Sequence, residues 1–168
     1  VNNTGQSCNA LTRLIAPRSK KEEVEQALLE RLQQYKVGNP EKEEVSAGPV
    51  QSKKQFDKVK GFIEKGVEEG AKILTGEVPK GDNGYIIQPV IFTEVDNQME
   101  IAQEEIFGPV LSVIYYDSEE EGIETANDTK YGLASAVFGP DDKAKEAASR
   151  IRAGNCAVNE GKSPANAP

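Results

Sequence analysis

Residues 108–116, Gly-Pro-Val-Leu-Ser-Val-Ile-Tyr-Tyr, form an almost unbroken apolar run. A strand that is apolar on both faces must be covered on both faces, and a mostly parallel sheet sandwiched by helices does that. The remaining segments fit such a sheet. Residues 10–16 alternate loosely and read as a strand that Pro17 ends. Residues 19–36 carry Val24, Leu28, Leu32 and Tyr35 at helical spacing, and Gly38-Asn39-Pro40 stops the pattern. Ser19 followed by Glu22 has the form of a capping box. A second helix is expected over 50–69, with Phe56, Val59, Ile63 and Val67 on one face. Strands are expected over 72–75 and 85–95, the latter interrupted by Pro89, which suggests an edge position or a bend. Helices are expected over 98–105, 119–128 and 141–152, and strands over 133–139 and 155–159. This alternation predicts an α/β fold, a mostly parallel sheet with helices on both faces and right-handed crossovers. Ligands in such sheets sit beyond the carboxyl ends of strands, so loops 103–109 and 159–163 are candidate site loops.

The chain has 168 residues, the size of one domain. A formal charge of −8 argues against binding to nucleic acid or to an anionic membrane surface, both of which call for a basic face. No apolar run is long enough to cross a bilayer. Cys8 and Cys156 are the only cysteines and histidine is absent, which excludes a Cys/His metal site. Two separated cysteines in an acidic domain read as cytosolic thiols, and so as a cytoplasmic protein.

Cys8 follows a Gly-Gln pair in "NNTGQSCNALT". A free cysteine is commonly a small buried hydrophobe. A nucleophilic one needs exposure and help in forming thiolate, and here that help cannot come from imidazole. Gly5 beside Gln6 allows the backbone to bring an amide N–H close to the sulfur or to an oxyanion. Glu105 and Phe107, by their residues alone, read as a helix end and a buried aromatic before Gly108-Pro109.

"VNNTGQSCNALT" at 1–12 resembles the cysteine signature of the aldehyde dehydrogenase superfamily. "QEEIFGPVLSVI" at 103–114, "NDTKYGLASAVF" at 127–138 and "IRAGNCAVN" at 151–159 resemble three further motifs of that family, in the family's order. The resemblance implies that Cys8 is the catalytic nucleophile, forming a thiohemiacetal and then a thioester while hydride passes to NAD or NADP. It implies that the Cys8 amide helps bind the oxyanion, that Glu105 accepts hydrogen bonds from the nicotinamide ribose, and that Phe107 packs beside the nicotinamide. Ser7, Asn9, Glu160 and Lys162 fall where the family lines its substrate tunnel, and Asn159 is expected to brace the last of these loops. Glu104 is expected only to face solvent, and Cys156 to be inert core. The substrate implied is a small aldehyde, and the full-length subunit is expected to be a homo-oligomer.

The resemblance identifies residues 1–168 as a single catalytic domain of a longer subunit, beginning close to the nucleophile. The dinucleotide-binding domain, the glutamate base and the oxyanion-hole asparagine of the family precede the signature cysteine. The chain by itself is therefore expected to be inactive. Two alternatives stand beside hydrolytic oxidation: release of the thioester to CoA, and a non-catalytic binding or structural role.

Overall fold

A computed structural model describes residues 2–81 and 84–160. Its strands are β1 (Arg13–Pro17), β2 (Lys72–Thr75), β3 (Val90–Thr93), β4 (Val110–Tyr116), β5 (Ala134–Val137) and β6 (Asn155–Val158). Its α-helices are α1 (Lys21–Gln33), α2 (Lys53–Glu68), α3 (Glu100–Gln103), α4 (Glu119–Asn127) and α5 (Asp141–Arg150). A four-stranded sheet has the order β1-β4-β3-β2, parallel except for β2. The strands β5 and β6 form a separate parallel pair.

The two-faced character of β4 explains the layering. Val110 and Ile114 join Val90, Phe92, Val59, Ile63 and Ile101 in the core beneath α2 and α3. Val113 and Tyr115 point the other way, onto Ile91 and the Val24, Leu28 and Leu32 stripe of α1. Ser112 is the one polar residue in the middle of the strand, and its hydroxyl donates to the Ile101 carbonyl at 3.1 Å. Burial of a hydroxyl is tolerable there because it is paired.

Three expectations need correction. The strand expected over 85–95 is confined to Val90–Thr93, and Pro89 lies just before it. That strand is interior, between β4 and β2, so the proline marks neither an edge nor a mid-strand bend. Without an N–H, Pro89 cannot join a ladder, and regular pairing starts only after it. Ser19 is not a cap: it sits in a tight 3-10 turn, Arg18–Lys20, and α1 begins after Lys20 with no side-chain cap. Arg18 draws the chain into that turn by donating to both carboxylate oxygens of Asp117 at 3.2 Å. Cys156 is half-buried rather than core.

The serines that do cap helices are Ser52, which accepts from the Gln55 N–H, and Ser118, which accepts from the Glu121 N–H. Ser52→Ala should lower stability by about 1 kcal/mol, the usual cost of a lost N-cap. A urea midpoint shared by the variant and the parent would show that the α2 cap contributes nothing.

The two sheets meet at the carboxyl end of α4. Arg13, on β1, donates to the Thr125 carbonyl at 2.5 Å and to Asn97 Oδ1 at 2.6 Å. Arg152, just before β6, donates to the carbonyls of Asn127 at 3.3 Å and Tyr131 at 3.2 Å, and also to that of Thr129. Cations suit the carbonyl end of a helix, where unpaired acceptors and the helix dipole both favour positive charge. Burial pulls the Arg13 pKa below its ordinary value, with nearby Asp128 opposing.

Candidate active site

Because β1 and β4 are parallel neighbours, the segments leading into them emerge side by side. Those segments contain Cys8 and Glu105–Phe107. The candidate site therefore lies at the amino ends of β1 and β4, not beyond carboxyl ends as the sheet rule suggested for loop 103–109. Only the segment after β6 follows that rule.

Backbone contact joins the two lead-ins. A Cβ built on Gly5 would stand 2.0 Å from the Gly108 carbonyl oxygen, so Gly5 lies directly against Gly108. A Cβ on Gly108 would in turn stand 2.5 Å from a Val59 methyl on α2. Two glycines thus let three segments stack where side chains would hold them apart.

The turn before Cys8 is strained. Asn3, Thr4 and Gly5 all have left-handed φ, at 50°, 56° and 72°. A β-branched residue such as Thr4 rarely adopts that conformation, and it persists only where surroundings over-determine it. Thr4 is buried, and its hydroxyl donates to the Gly48 carbonyl at 3.2 Å. Asn3 Nδ2 donates to the Gln6 carbonyl at 2.9 Å, and Gln6 Oε1 accepts from the Gln51 N–H at 2.9 Å. This scaffold holds up a turn whose tip is Cys8.

Cys8 is exposed and free. Among the described residues neither its thiol nor its amide N–H makes a hydrogen bond. Ser7 and Asn9 flank it and bond to each other, Ser7 Oγ donating to Asn9 Oδ1 at 2.6 Å. Thus the side chains on either side of the sulfur are tied together.

The second lead-in is pinned from α2. Gln55 Nε2 donates to the carbonyls of Ile106 at 3.0 Å and Phe107 at 2.8 Å. Lys58 Nζ donates to the Glu105 carbonyl at 2.8 Å. This grip keeps Phe107 at a left-handed φ of 59°, unusual for an aromatic residue. Phe107 is half-buried, while Glu105 is exposed and its carboxylate has no partner among the described residues. Backbone fixed and carboxylate free is the state of a group available to accept hydrogen bonds.

Glu104 departs from expectation. Its Oε1 accepts from Lys130 Nζ at 2.5 Å and its Oε2 from the Tyr131 hydroxyl at 3.3 Å. The hydrogen bond from Lys130, ahead of the other influences, holds its carboxyl below the ordinary glutamate range. Glu104 is therefore a link between loops rather than a bystander facing solvent.

Glu160 is exposed and follows the carboxyl end of β6; no hydrogen bond or ion pair among the described residues joins it to the Cys8 turn. Lys162 lies outside the described residues. Asn159 accepts from the Gly139 N–H at 3.0 Å and donates to Asp141 Oδ1 at 2.7 Å, so it ties the end of β6 to the start of α5; residues 161–163 of the loop it was expected to brace lie outside the described residues. Reading the sequence missed Gln55 and Lys58, which pass for the polar face of an amphipathic helix. The Ser-x-x-Gln spacing from the true cap, Ser52, was the available signal that Gln55 stands in the first turn of α2. The described residues contain no cluster that could hold a metal ion and no helix long and apolar enough to cross a membrane.

A strained cysteine turn laid against a pinned Glu-Ile-Phe-Gly-Pro segment, on an α/β sheet, defines the class. The model of the aldehyde dehydrogenase family matches residues 1–168, and the chain belongs to that family. A Staphylococcus saprophyticus protein named as an aldehyde dehydrogenase is 54% identical over 164 residues, covering 95% of this chain and 34% of that protein. Among solved structures, aldehyde dehydrogenase C of Pseudomonas syringae, a mutant complexed with NAD+ and octanal, superposes with a TM-score of 0.91 at 42% identity, over 97% of this chain and 34% of that one. The Mycobacterium tuberculosis aldehyde dehydrogenase complexed with NAD+ gives a TM-score of 0.89 at 46% identity, over 95% of this chain and 34% of that one. The chain thus spans about a third of the length of these relatives.

Proposed function

We propose that this chain is the catalytic portion of a longer subunit that oxidises an aldehyde to a carboxylic acid with NAD(P)+, and that Cys8 is its nucleophile. The observation that carries the reading is the free, exposed Cys8 on a strained turn packed against the segment bearing Glu105 and Phe107. The Cys8 sulfur, as thiolate, bonds to the aldehyde carbon, and the carbonyl π electrons move to oxygen. The unbonded Cys8 N–H would stabilise that oxyanion, a contribution of roughly 2.7–4 kcal/mol for such donors. Loss of the former aldehyde hydrogen as hydride leaves a thioester on Cys8. Attack by water then breaks the C–S bond, giving the acid and restoring the thiol. Splitting one hard step into two is the gain from covalent catalysis.

Bound nicotinamide supplies the hydride acceptor. The free Glu105 carboxylate suits ribose hydroxyls, and Phe107 offers an apolar face to the ring. Complexes of the P. syringae and M. tuberculosis relatives with NAD+ support use of this dinucleotide, and the octanal complex supports an aldehyde substrate. The longer subunit would act as a homo-oligomer in the cytoplasm, and Ser7, Asn9, Glu160 and Lys162 would border the substrate path.

Glu105→Gln in the whole subunit tests the site. The change keeps size but removes the charge that strengthens bonds to hydroxyl donors. Hydride transfer should slow by up to about a hundredfold, the scale of a 1 Å misplacement. A deuterated aldehyde should then show a larger isotope effect than with the parent enzyme. Glu43→Gln, at an exposed position in the loop between α1 and α2, is the control. Equal behaviour of the Glu105 and Glu43 variants would remove Glu105 from the site.

A further inference from the structure

Glu104 is the side chain that ties the Glu105–Phe107 segment to the second sheet. It ends α3 in an extended conformation, with φ −110° and ψ 153°, so its backbone sets the direction in which Glu105 departs. Its carboxylate is held on both oxygens, by Lys130 Nζ at 2.5 Å and by the Tyr131 hydroxyl at 3.3 Å. Those two donors stand on a firm base. Arg152 donates to the carbonyls of Thr129 and Tyr131, and the Gly154 N–H donates to the Gly132 carbonyl at 2.7 Å. Close contact adds to this, since a Cβ on Gly132 would stand 2.8 Å from the Arg152 carbonyl oxygen. Lys130 Nζ also lies 5.3 Å from the centroid of the Tyr131 ring, which keeps the two donors together.

From the other side, α2 grips residues 105–107 through Gln55 and Lys58. One residue before Glu104, Gln103 Nε2 donates to the Asp128 carbonyl at 2.9 Å. The 105–107 segment is therefore suspended between α2 and the loop that precedes β5. Glu104 is the last tie on the β5 side before the free Glu105 carboxylate.

We infer that Glu104 is a positioning residue: clamped by Lys130 and Tyr131, it sets where the neighbouring Glu105 carboxylate stands for dinucleotide binding. This rests on the reading of Glu105 given above. The pair is half-exposed, with Lys130 and Glu104 side chains 59% and 38% accessible, and such pairs contribute little to global stability. Its effect is geometric: both partners are anchored to backbone held elsewhere, so the bond transmits position.

In the whole subunit, Glu104→Gln and Lys130→Met should each slow hydride transfer by roughly tenfold, a fraction of the penalty for a full 1 Å error. Each should enlarge the isotope effect with deuterated aldehyde, leave the melting temperature at the parent value, and speed amide exchange across 105–110. The double variant should be no slower than either single one, because both remove one interaction. Lys130→Arg, which keeps a charged donor, should restore the parent rate. If Glu105→Gln is slow while Glu104→Gln and Lys130→Met transfer hydride at the parent rate, the positioning role is overturned and the ribose reading survives. The positioning role fails equally if the two variants lower the melting temperature alone. If Glu105→Gln itself runs at the parent rate, the ribose reading has failed. Faster exchange over 105–110 in the Glu104 variant would then show that the clamp orders the segment, and unchanged exchange would overturn the clamp as well.

Discussion

Cys8→Ala in the whole subunit should abolish aldehyde turnover and leave dinucleotide affinity at its parent value. In the proposed mechanism the sulfur is the atom that bonds to the aldehyde carbon, and alanine has no nucleophile to replace it. In other covalent enzymes, removal of the nucleophile lowers kcat on the order of a millionfold, and a loss on that scale is expected here. Cys8 is exposed and makes no hydrogen bond among the described residues, so the substitution should move stability by less than about 0.5 kcal/mol. Steady-state formation of reduced cofactor, titration of the dinucleotide and a thermal melt separate these effects. Turnover at the parent rate would refute the assignment of Cys8, and loss of turnover with a collapsed melting temperature would make Cys8 a structural residue.

Gly5→Ala should damage both stability and activity, although no side chain is lost. Its φ of 72° costs an alanine about 1–2 kcal/mol. The new methyl would also stand 2.0 Å from the Gly108 carbonyl oxygen, a separation that backbone must yield to relieve. Overpacking of that kind costs about 1–3 kcal/mol more. Movement apart of the Cys8 turn and the Glu105 segment should reduce turnover by more than about a hundredfold. Gly61→Ala is the contrast: nothing lies within 4 Å of its Cβ, and its helical position in α2 should gain about 0.5–1 kcal/mol. Chemical denaturation of the two variants checks the difference. A Gly5 variant as stable as the parent would mean that the two backbones are not in contact.

The alternation of strand and helix was legible because it is written in periodicity. The β4 run needed cover on both sides and has it, Val110 and Ile114 toward α2, Val113 and Tyr115 toward α1. The limits of elements were less legible where two local signals competed. Ser19 with Glu22 has the right letters for a cap, yet the ties of Arg18 to Asp117 make residues 18–20 a separate turn. Asp117 lies far along the chain from Arg18, and no local rule contains it. Pro89 likewise carries a local meaning, no N–H to give, but whether the strand after it is edge or interior depends on β2 and β4.

The candidate site divides in the same way. Sequence alone singled out the candidates, Cys8, Glu105 and Phe107, because a thiol, a carboxylate and an aromatic ring are properties of single side chains and these three stand in motifs that resemble those of a known family. Tertiary structure decided how they are held. The left-handed turn at Asn3–Gly5 depends on Gly48 and Gln51, the grip on Ile106 and Phe107 on Gln55, and the clamp on Glu104 on Lys130 and Tyr131. Each of these partners is tens of residues distant along the chain: β1–β4 pairing and the approach of α2 bring the first two sets together, and the loop before β5, held by Arg152, brings the third. Residue chemistry is local and can be read in one dimension; hydrogen bonds between distant segments form only when folding has set the distances.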